Sequence, residues 1–93
     1  MKLGSRHQKT LEKIFARPTT GTLEWRRVEN LLVALGCGMY EGKGSRVAFH
    51  HETSGEVAHF HRPHPRPEAT KGMIESVRDY IERIGAVGTK EPS

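Results

Sequence analysis

The sequence has a single cysteine, Cys37, and therefore cannot form a disulfide within the chain. It has no apolar run approaching the ~20 residues needed to cross a bilayer. It also does not open with the charged and then apolar segment of a secretory signal peptide. We therefore expect a cytoplasmic protein with no membrane-spanning segment.

The chain is too short for two hydrophobic cores, since 93 residues fit one small domain. We expect residues 1–93 to form a single domain with an ordered core of about 8–86 and flexible tails at 1–6 and 88–93. The 15 Lys and Arg exceed the 11 Asp and Glu, giving a net charge of +4 with histidine neutral. This mild excess favours nucleic acid, an acidic protein or an anionic membrane surface as a partner.

Three stretches place apolar residues at steps of three and four, the spacing of an amphipathic helix. The first should end near Arg17, because Pro18 disfavours helical geometry in the residue before it. Thr22 is the predicted cap of the second helix and Thr70 that of the third. The polar face of the second helix, with Arg26, Arg27, Glu29 and Asn30, is interpreted as a solvated surface. The apolar stripes are Leu11, Ile14 and Phe15; then Trp25, Val28, Leu31, Leu32 and Leu35; then Met73, Ile74, Val77, Ile81 and Ile84.

Between the second and third helices the periodicity changes from 3.6 towards 2, which predicts strands at 39–41, 46–51 and 56–61. Turn-forming residues separate them, so they form an antiparallel meander. Val47, Phe49 and His51 share one face of the middle strand. For the last strand, which face meets the helices stays open.

This order predicts an α+β fold, α-α-β-β-β-α, in which helices pack on one face of a three-stranded antiparallel sheet. Double-stranded-RNA-binding domains have this layout, although layout alone does not assign a function. The other face of the sheet is left for solvent or a partner.

Five of the six histidines lie between His50 and His64. Imidazole can take and give a proton near neutral pH, as cleavage of RNA through its 2′-hydroxyl requires. His50, His51, His59, His61 and His64 therefore form a candidate catalytic pool. Zinc is an alternative, but it needs three or four ligands and the only thiol lies far along the chain, so no metal site is predicted.

Basic residues occur at the tip of the first predicted hairpin and in the proline-rich stretch after the last strand. Backbone amides, a hydroxyl and cations there could hold RNA phosphates without reading sequence. With aromatic residues at only 6%, stacking of single-stranded bases receives little support. The candidate RNA-binding residues are Lys43, Ser45, Arg46, Arg62, Arg66 and Lys71.

From Leu23 to Gly85 the sequence resembles the HicA family of type II toxins, small messenger-RNA interferases with a double-stranded-RNA-binding-like fold. The most specific part is the spacing from His64 to Gly72. The residues that carry the resemblance are Trp25, Val28, Leu35 and Gly36; Gly44 and Ser45; His64, Pro65, Glu68 and Gly72; and Ile84 and Gly85.

The resemblance implies a toxin that cleaves or blocks mRNA without a metal or other cofactor and is neutralised by a HicB-type antitoxin. The family typically has Gly-Ser-His where this chain has Gly44, Ser45 and Arg46, and that histidine is the one usually assigned to catalysis. Arg46 stays protonated and cannot act as a base, although it can hold a phosphate. His64, which matches a family histidine, and His61 are therefore the candidates for proton transfer. A catalytically silent module that binds RNA or an antitoxin-like partner is the alternative.

Overall fold

The computed structural model describes residues 3–85 and contains the six predicted elements in the predicted order. The α+β, α-α-β-β-β-α arrangement is thereby confirmed. The elements are α1 (Ser5–Phe15), α2 (Trp25–Ala34), β1 (Cys37–Glu41), β2 (Arg46–His51), β3 (Val57–His61) and α3 (Lys71–Arg83).

The three strands form one antiparallel sheet in the order β1-β2-β3, with Phe49 paired with Met39 on one side and Ala58 on the other. Val47 and Phe49 are buried, as the alternation in β2 predicts. In β3, Phe60 is buried and Ala58 packs against the core, which settles the face that the sequence left open. Arg46 and His50 of β2 and His59 and His61 of β3 consequently point away from the helices, whereas His51 lies on the inner face.

Helix α1 packs on α2 and α3 and buries Ile14 completely. It begins at Ser5, earlier than its apolar stripe indicates, and Leu3 packs against the core. Leu3, within the stretch 1–6 expected to form a tail, thus contacts the core. The predicted tail at 88–93 lies outside the described residues.

The start of α2 is held by the proline-rich segment rather than by a side-chain cap. Thr22, the predicted cap, instead lies 3.1 Å from the Thr20 hydroxyl. The Trp25 amide donates to the Pro67 carbonyl, and the Ala69 amide donates to the Leu23 carbonyl, each at 2.9 Å. These two bonds fix the segment after β3 against the entrance of α2.

Helix α3 begins as predicted, with the Met73 amide donating to Thr70 Oγ1. Its buried face is wider than the apolar stripe, because Tyr80 and Arg78 are buried as well. Arg78 Nε donates to the Ile14 carbonyl at 3.0 Å and thereby ties α3 to α1. Among residues 3–85, no helix combines the length and apolar character needed to cross a membrane.

Candidate functional site

One face of the sheet is turned away from the helices and carries most of the polar chemistry of the strands. The register places Ala48 between Tyr40 on β1 and His59 on β3, and it places Arg46 opposite His61. We call this surface the outer sheet face. Its side chains are Tyr40, Arg46, Ala48, His50, Val57, His59 and His61.

At one end of the outer sheet face, three predicted site residues come together. Ser45 Oγ lies 3.3 Å from His61 Nδ1, and Arg46 is the backbone partner of His61. The amide of Arg62 donates to the Ser45 carbonyl at 2.8 Å, which holds the two chain segments side by side. Ser45, Arg46 and His61 are all exposed, and together they are called the hairpin-tip cluster.

The contact with Ser45 determines what His61 can do chemically. If Nδ1 carries the proton and donates to the hydroxyl, Nε2 is a free base; if the hydroxyl donates to Nδ1, Nε2 carries a proton that it can give. Arg46 and His61 line one groove of about 560 Å³ together with Tyr40, Ala48 and His59. The cluster therefore places a proton-transfer group and a fixed cation beside one groove.

Lys43, at the tip of the same hairpin, is exposed in the turn that joins β1 to β2. Its carbonyl accepts from the Arg46 amide at 3.2 Å, which closes the turn. Lys43 thus adds a second cation near the cluster. Among the described residues, its side chain forms no hydrogen bond or ion pair with the cluster.

Arg62 is placed differently from the other predicted phosphate ligands. Its Nε donates to Glu29 Oε2 at 2.7 Å, and its Nη2 donates to Glu41 Oε2 at 3.3 Å. The hydrogen bond to Glu29 raises the pKa of the Arg62 guanidinium above its ordinary value. Trp25 Nε1 donates to the same Glu29 oxygen at 2.6 Å. Glu29 is therefore part of a half-buried network rather than a solvated surface, and Arg62 is held by carboxylates on the helix side of the sheet.

His64, Arg66 and Lys71 line a second groove, of about 530 Å³, between the proline-rich segment and the start of α3. We call it the His64 groove. Arg66 is 80% exposed and lies 3.5 Å from Glu68. In the part of the chain that the structure describes, His61 and His64 line different grooves and share no hydrogen bond. The two histidines proposed for proton transfer are thus not brought into one contact.

The candidate pool of histidines divides by environment. His51 is only 8% exposed, its Nδ1 accepts from the Ser54 amide, and its Nε2 lies 3.2 Å from the Leu35 carbonyl. It therefore ties the end of α2 to the turn between β2 and β3. His50 lies 3.6 Å from Glu52, whereas His59 and His61 are exposed on the outer sheet face.

Tyr40 is a surface residue that the sequence reasoning missed. Its side chain is 56% exposed, and a Cβ built on Gly38 would lie 2.8 Å from its hydroxyl oxygen. The ring thus lies along β1 over Gly38, in space that only a glycine leaves free. The sequence could have indicated this position, because Gly38 and Tyr40 are two residues apart in a strand and share a face.

No group of three or more His, Cys, Asp and Glu side chains within residues 3–85 is arranged to hold a metal ion. His51 is buried whereas its neighbour His50 is not, and His61 and His64 line different grooves; His59 and His61 line the same groove.

A family model described as "HicA toxin of bacterial toxin-antitoxin" matches residues 25–86, about two thirds of the chain. The match begins at the first residue of α2 and includes the hairpin-tip cluster, the His64 groove and α3. Neither the curated proteins nor the solved structures gave a match. The chain belongs to the HicA toxin family, and it has the toxin-antitoxin character of that family.

Proposed function

We propose that this HicA-family toxin is a cytoplasmic endoribonuclease that cleaves mRNA without a metal ion and is neutralised by a HicB-type antitoxin. The supporting observation is the hairpin-tip cluster, in which Ser45, Arg46 and His61 meet at one exposed point. The family match covers this cluster and supplies the class of protein. The side chains of the cluster are proposed to supply the proton transfer and the phosphate contact of the reaction.

In the proposed reaction, His61 Nε2 removes the proton of a ribose 2′-hydroxyl. The 2′-oxygen attacks the adjacent phosphorus, a new O–P bond forms, and the bond from phosphorus to the 5′-oxygen breaks. The products are a 2′,3′-cyclic phosphate and a 5′-hydroxyl, which needs one proton from a general acid. General acid and base catalysis of this kind contributes about 10²–10⁴-fold each.

Arg46 is proposed to hold the reacting phosphate and to stabilise the charge that develops on its oxygens. Its position opposite His61 puts a permanent cation beside the base. Lys43 and Ser45 add a cation and a hydroxyl at the same hairpin tip. This division of labour explains how the hairpin tip could remain active with Arg46 in the place of the family's usual histidine.

His64 is proposed as the second proton-transfer group. It is exposed on the stiff segment that begins immediately after β3, and the resemblance matches it to a family histidine. Because it lines its own groove, the RNA chain must bridge the His64 groove and the hairpin-tip cluster for both histidines to act. Arg66 and Lys71, in the same groove, are proposed to hold flanking phosphates.

The test is cleavage of a transcript by the purified protein in the presence of a chelator. We expect His61→Ala and His64→Ala to lose cleavage while keeping most of their RNA affinity. His50→Ala is the matched control, since His50 lies at the opposite end of β2 on the same outer sheet face. Intact RNA at stoichiometric wild-type protein would sink the cleavage proposal. Growth arrest on induction, relieved by a co-expressed HicB-type partner, tests the toxin role.

A catalytically silent RNA-binding module is the second candidate, and the observation that favours it is Arg46 itself. If the wild type binds RNA without cleaving it because it lacks the imidazole at position 46, Arg46→His should cleave RNA. If His61 performs the chemistry, the wild type already cleaves. In both cases RNA affinity should fall as salt rises, because phosphate contacts release counterions.

A further inference from the structure

A second basic surface lies between α1 and α2, on the helical layer of the molecule. It forms a cleft of about 530 Å³. We call it the α1–α2 cleft, and its lining residues are Ser5, Arg6, Lys9, Glu24, Arg26, Arg27 and Asn30.

The cleft concentrates cations that have no internal partner. Among the described residues, none of its four cations forms an ion pair, and Glu24 is the one carboxylate in its lining. By contrast, Arg62, Arg66 and Arg83 are each paired with a carboxylate. With four cations against one carboxylate, the lining of the cleft carries a net positive charge.

Arg27 gives an independent sign that the cleft awaits a ligand. Its Nε atom is buried and has no hydrogen-bond partner among the described residues. A buried donor without an acceptor destabilises the protein, and native structures rarely retain one without a reason. Arg27 is one of the residues that line the cleft, and a guanidinium can donate two parallel hydrogen bonds to a phosphate.

The cleft is continuous with the His64 groove. It shares Arg26 and Asn30 with a neighbouring groove that runs along α2. That groove in turn shares Arg62 and Pro63 with the His64 groove. The intervening groove carries Arg26 and Arg62 against Glu29 and Glu41, so its lining is neutral overall, and an extended polyanion could cross it between α1 and His64.

We infer that the α1–α2 cleft binds the phosphodiester backbone of the RNA strand whose reacting nucleotide lies at the His64 groove and the hairpin-tip cluster. This inference rests on the proposed function. Helix α1 lies outside the segment that the family model matches, so the α1 wall of the cleft is outside that segment, whereas Arg26, Arg27 and Asn30 on α2 lie within it. We favour RNA over a protein partner because the cleft lining has cations but no apolar or aromatic residue to form the core of a protein interface.

The inference is tested with the double variant Arg6→Gln/Lys9→Gln, whose residues are both exposed on α1. The matched control is Lys13→Gln/Arg17→Gln, which removes the same charge from exposed positions outside the cleft lining. RNA affinity is measured against salt for single-stranded oligoribonucleotides of increasing length. Each lost phosphate contact lowers the magnitude of the salt slope by about 0.7. We expect a decrease of about 1.4 for the cleft variant on long RNA, and no change for the control.

The length of the RNA distinguishes binding at the cleft from binding at the reaction centre. An RNA too short to extend beyond the His64 groove should be bound and cleaved equally well by the cleft variant and by the wild type. Arg26→Gln provides a second exposed cleft variant and should lower the slope by about 0.7. Circular dichroism confirms that each variant is folded.

Two results would overturn the inference while the wild type still cleaves RNA. One is a salt slope of the cleft variant equal to that of the control on long RNA. The other is a cleft variant whose salt slope for RNA is unchanged but which no longer binds an acidic antitoxin. That result would make the cleft a protein-binding site. A wild type that neither binds nor cleaves RNA would overturn the proposed function together with the inference.

Discussion

Glu29 on α2 and Arg62 after β3 form a short ion pair, with Arg62 Nε 2.7 Å from Glu29 Oε2. The Glu29 side chain is only 13% exposed, and the same oxygen accepts from Trp25 Nε1. The pair fastens the proline-rich segment to the start of α2 at the point where the chain leaves the sheet. It therefore helps to position the His64 groove, which Arg62 also lines.

Removing either partner should destabilise the protein more than it weakens RNA binding. We expect Arg62→Gln and Glu29→Gln each to cost about 1.5–3 kcal/mol, because each breaks hydrogen bonds between charged groups in a half-buried site. Urea unfolding followed by Trp25 fluorescence gives these values, and the double variant gives their coupling.

Arg66→Gln serves as the control for Arg62, since Arg66 is highly exposed and its loss should change stability by no more than about 0.5 kcal/mol. A stable Arg62→Gln protein with a reduced salt slope for RNA would contradict this interpretation. It would restore the role of phosphate ligand that the sequence suggests for Arg62.

The sequence predicts the order of elements because hydrophobic periodicity is a local property. The spacing of Val47 and Phe49 predicts the inner face of β2, and Thr70 is identifiable as a cap three residues before the amide it accepts from. Arg46 and Arg62 have the same side chain in the same basic region, yet one is exposed and the other is held by two carboxylates. That difference depends on which residues lie opposite across the fold, and spacing along the chain does not contain it.

Tyr40 is predicted to bind an unpaired base by stacking on the outer sheet face. Tyr40→Ala should weaken the binding of single-stranded RNA by about 1–3 kcal/mol, the usual contribution of one stacked base. Tyr40→Phe should keep the affinity, because the ring is retained. Fluorescence anisotropy with single-stranded and duplex RNA measures both, and the duplex should be indifferent to the change.

Gly38→Ala tests the position of the Tyr40 ring without removing it. The added Cβ would lie 2.8 Å from the tyrosine hydroxyl, so the flexible ring rather than the strand should move. We expect a smaller loss of affinity than for Tyr40→Ala. Val57→Ala, also exposed on the outer sheet face, is the control. Equal affinity of Tyr40→Ala and wild type for single strands would rule out stacking at this residue.

His51 should contribute to stability and not to cleavage. His51→Ala leaves the Leu35 carbonyl and the Ser54 amide without their partner, and a buried group left unsatisfied costs about 1–3 kcal/mol. Its neighbour His50 is half-exposed, so His50→Ala should change the free energy of unfolding little. Cleavage rates of the folded fraction should match the wild type for both. A stable His51→Ala protein that no longer cleaves would move His51 back into the catalytic pool.

This division of the histidines could not be made from the sequence, because alternation assigns His51 to the inner face but does not say what its nitrogens meet. The contacts of its nitrogens with the Leu35 carbonyl and with Ser54 depend on where α2 ends, two residues before Gly36 with its positive φ of 102°. For His61 the deciding contact is Ser45, sixteen residues earlier, which only the pairing of β2 with β3 brings near.

Tyr80 and Cys37 should make the protein lose stability at alkaline pH. Burial raises the pKa of the Tyr80 hydroxyl well above its ordinary value of 10.0, and the hydrogen bond to Cys37 adds to the effect. Burial also raises the pKa of the Cys37 thiol above 9.0. The folded state therefore holds these protons more tightly than the unfolded state does. Their contribution is complete below the unfolded pKa values and declines as pH rises above about 9.

Tyr80→Phe separates the two groups. The variant should be less stable at neutral pH, because the Tyr80 hydroxyl donates to the Glu56 carbonyl at 2.9 Å and that bond is lost. It should lose less stability between about pH 9 and pH 11 than the wild type, since each titrating group contributes at most about 1.4 kcal/mol per pH unit. Tyr40→Phe is the matched control for the loss of a tyrosine hydroxyl, because Tyr40 is exposed. If the free energy of unfolding of the wild type and of Tyr80→Phe falls equally with pH, ionisation of Tyr80 does not destabilise the folded state and the prediction is wrong.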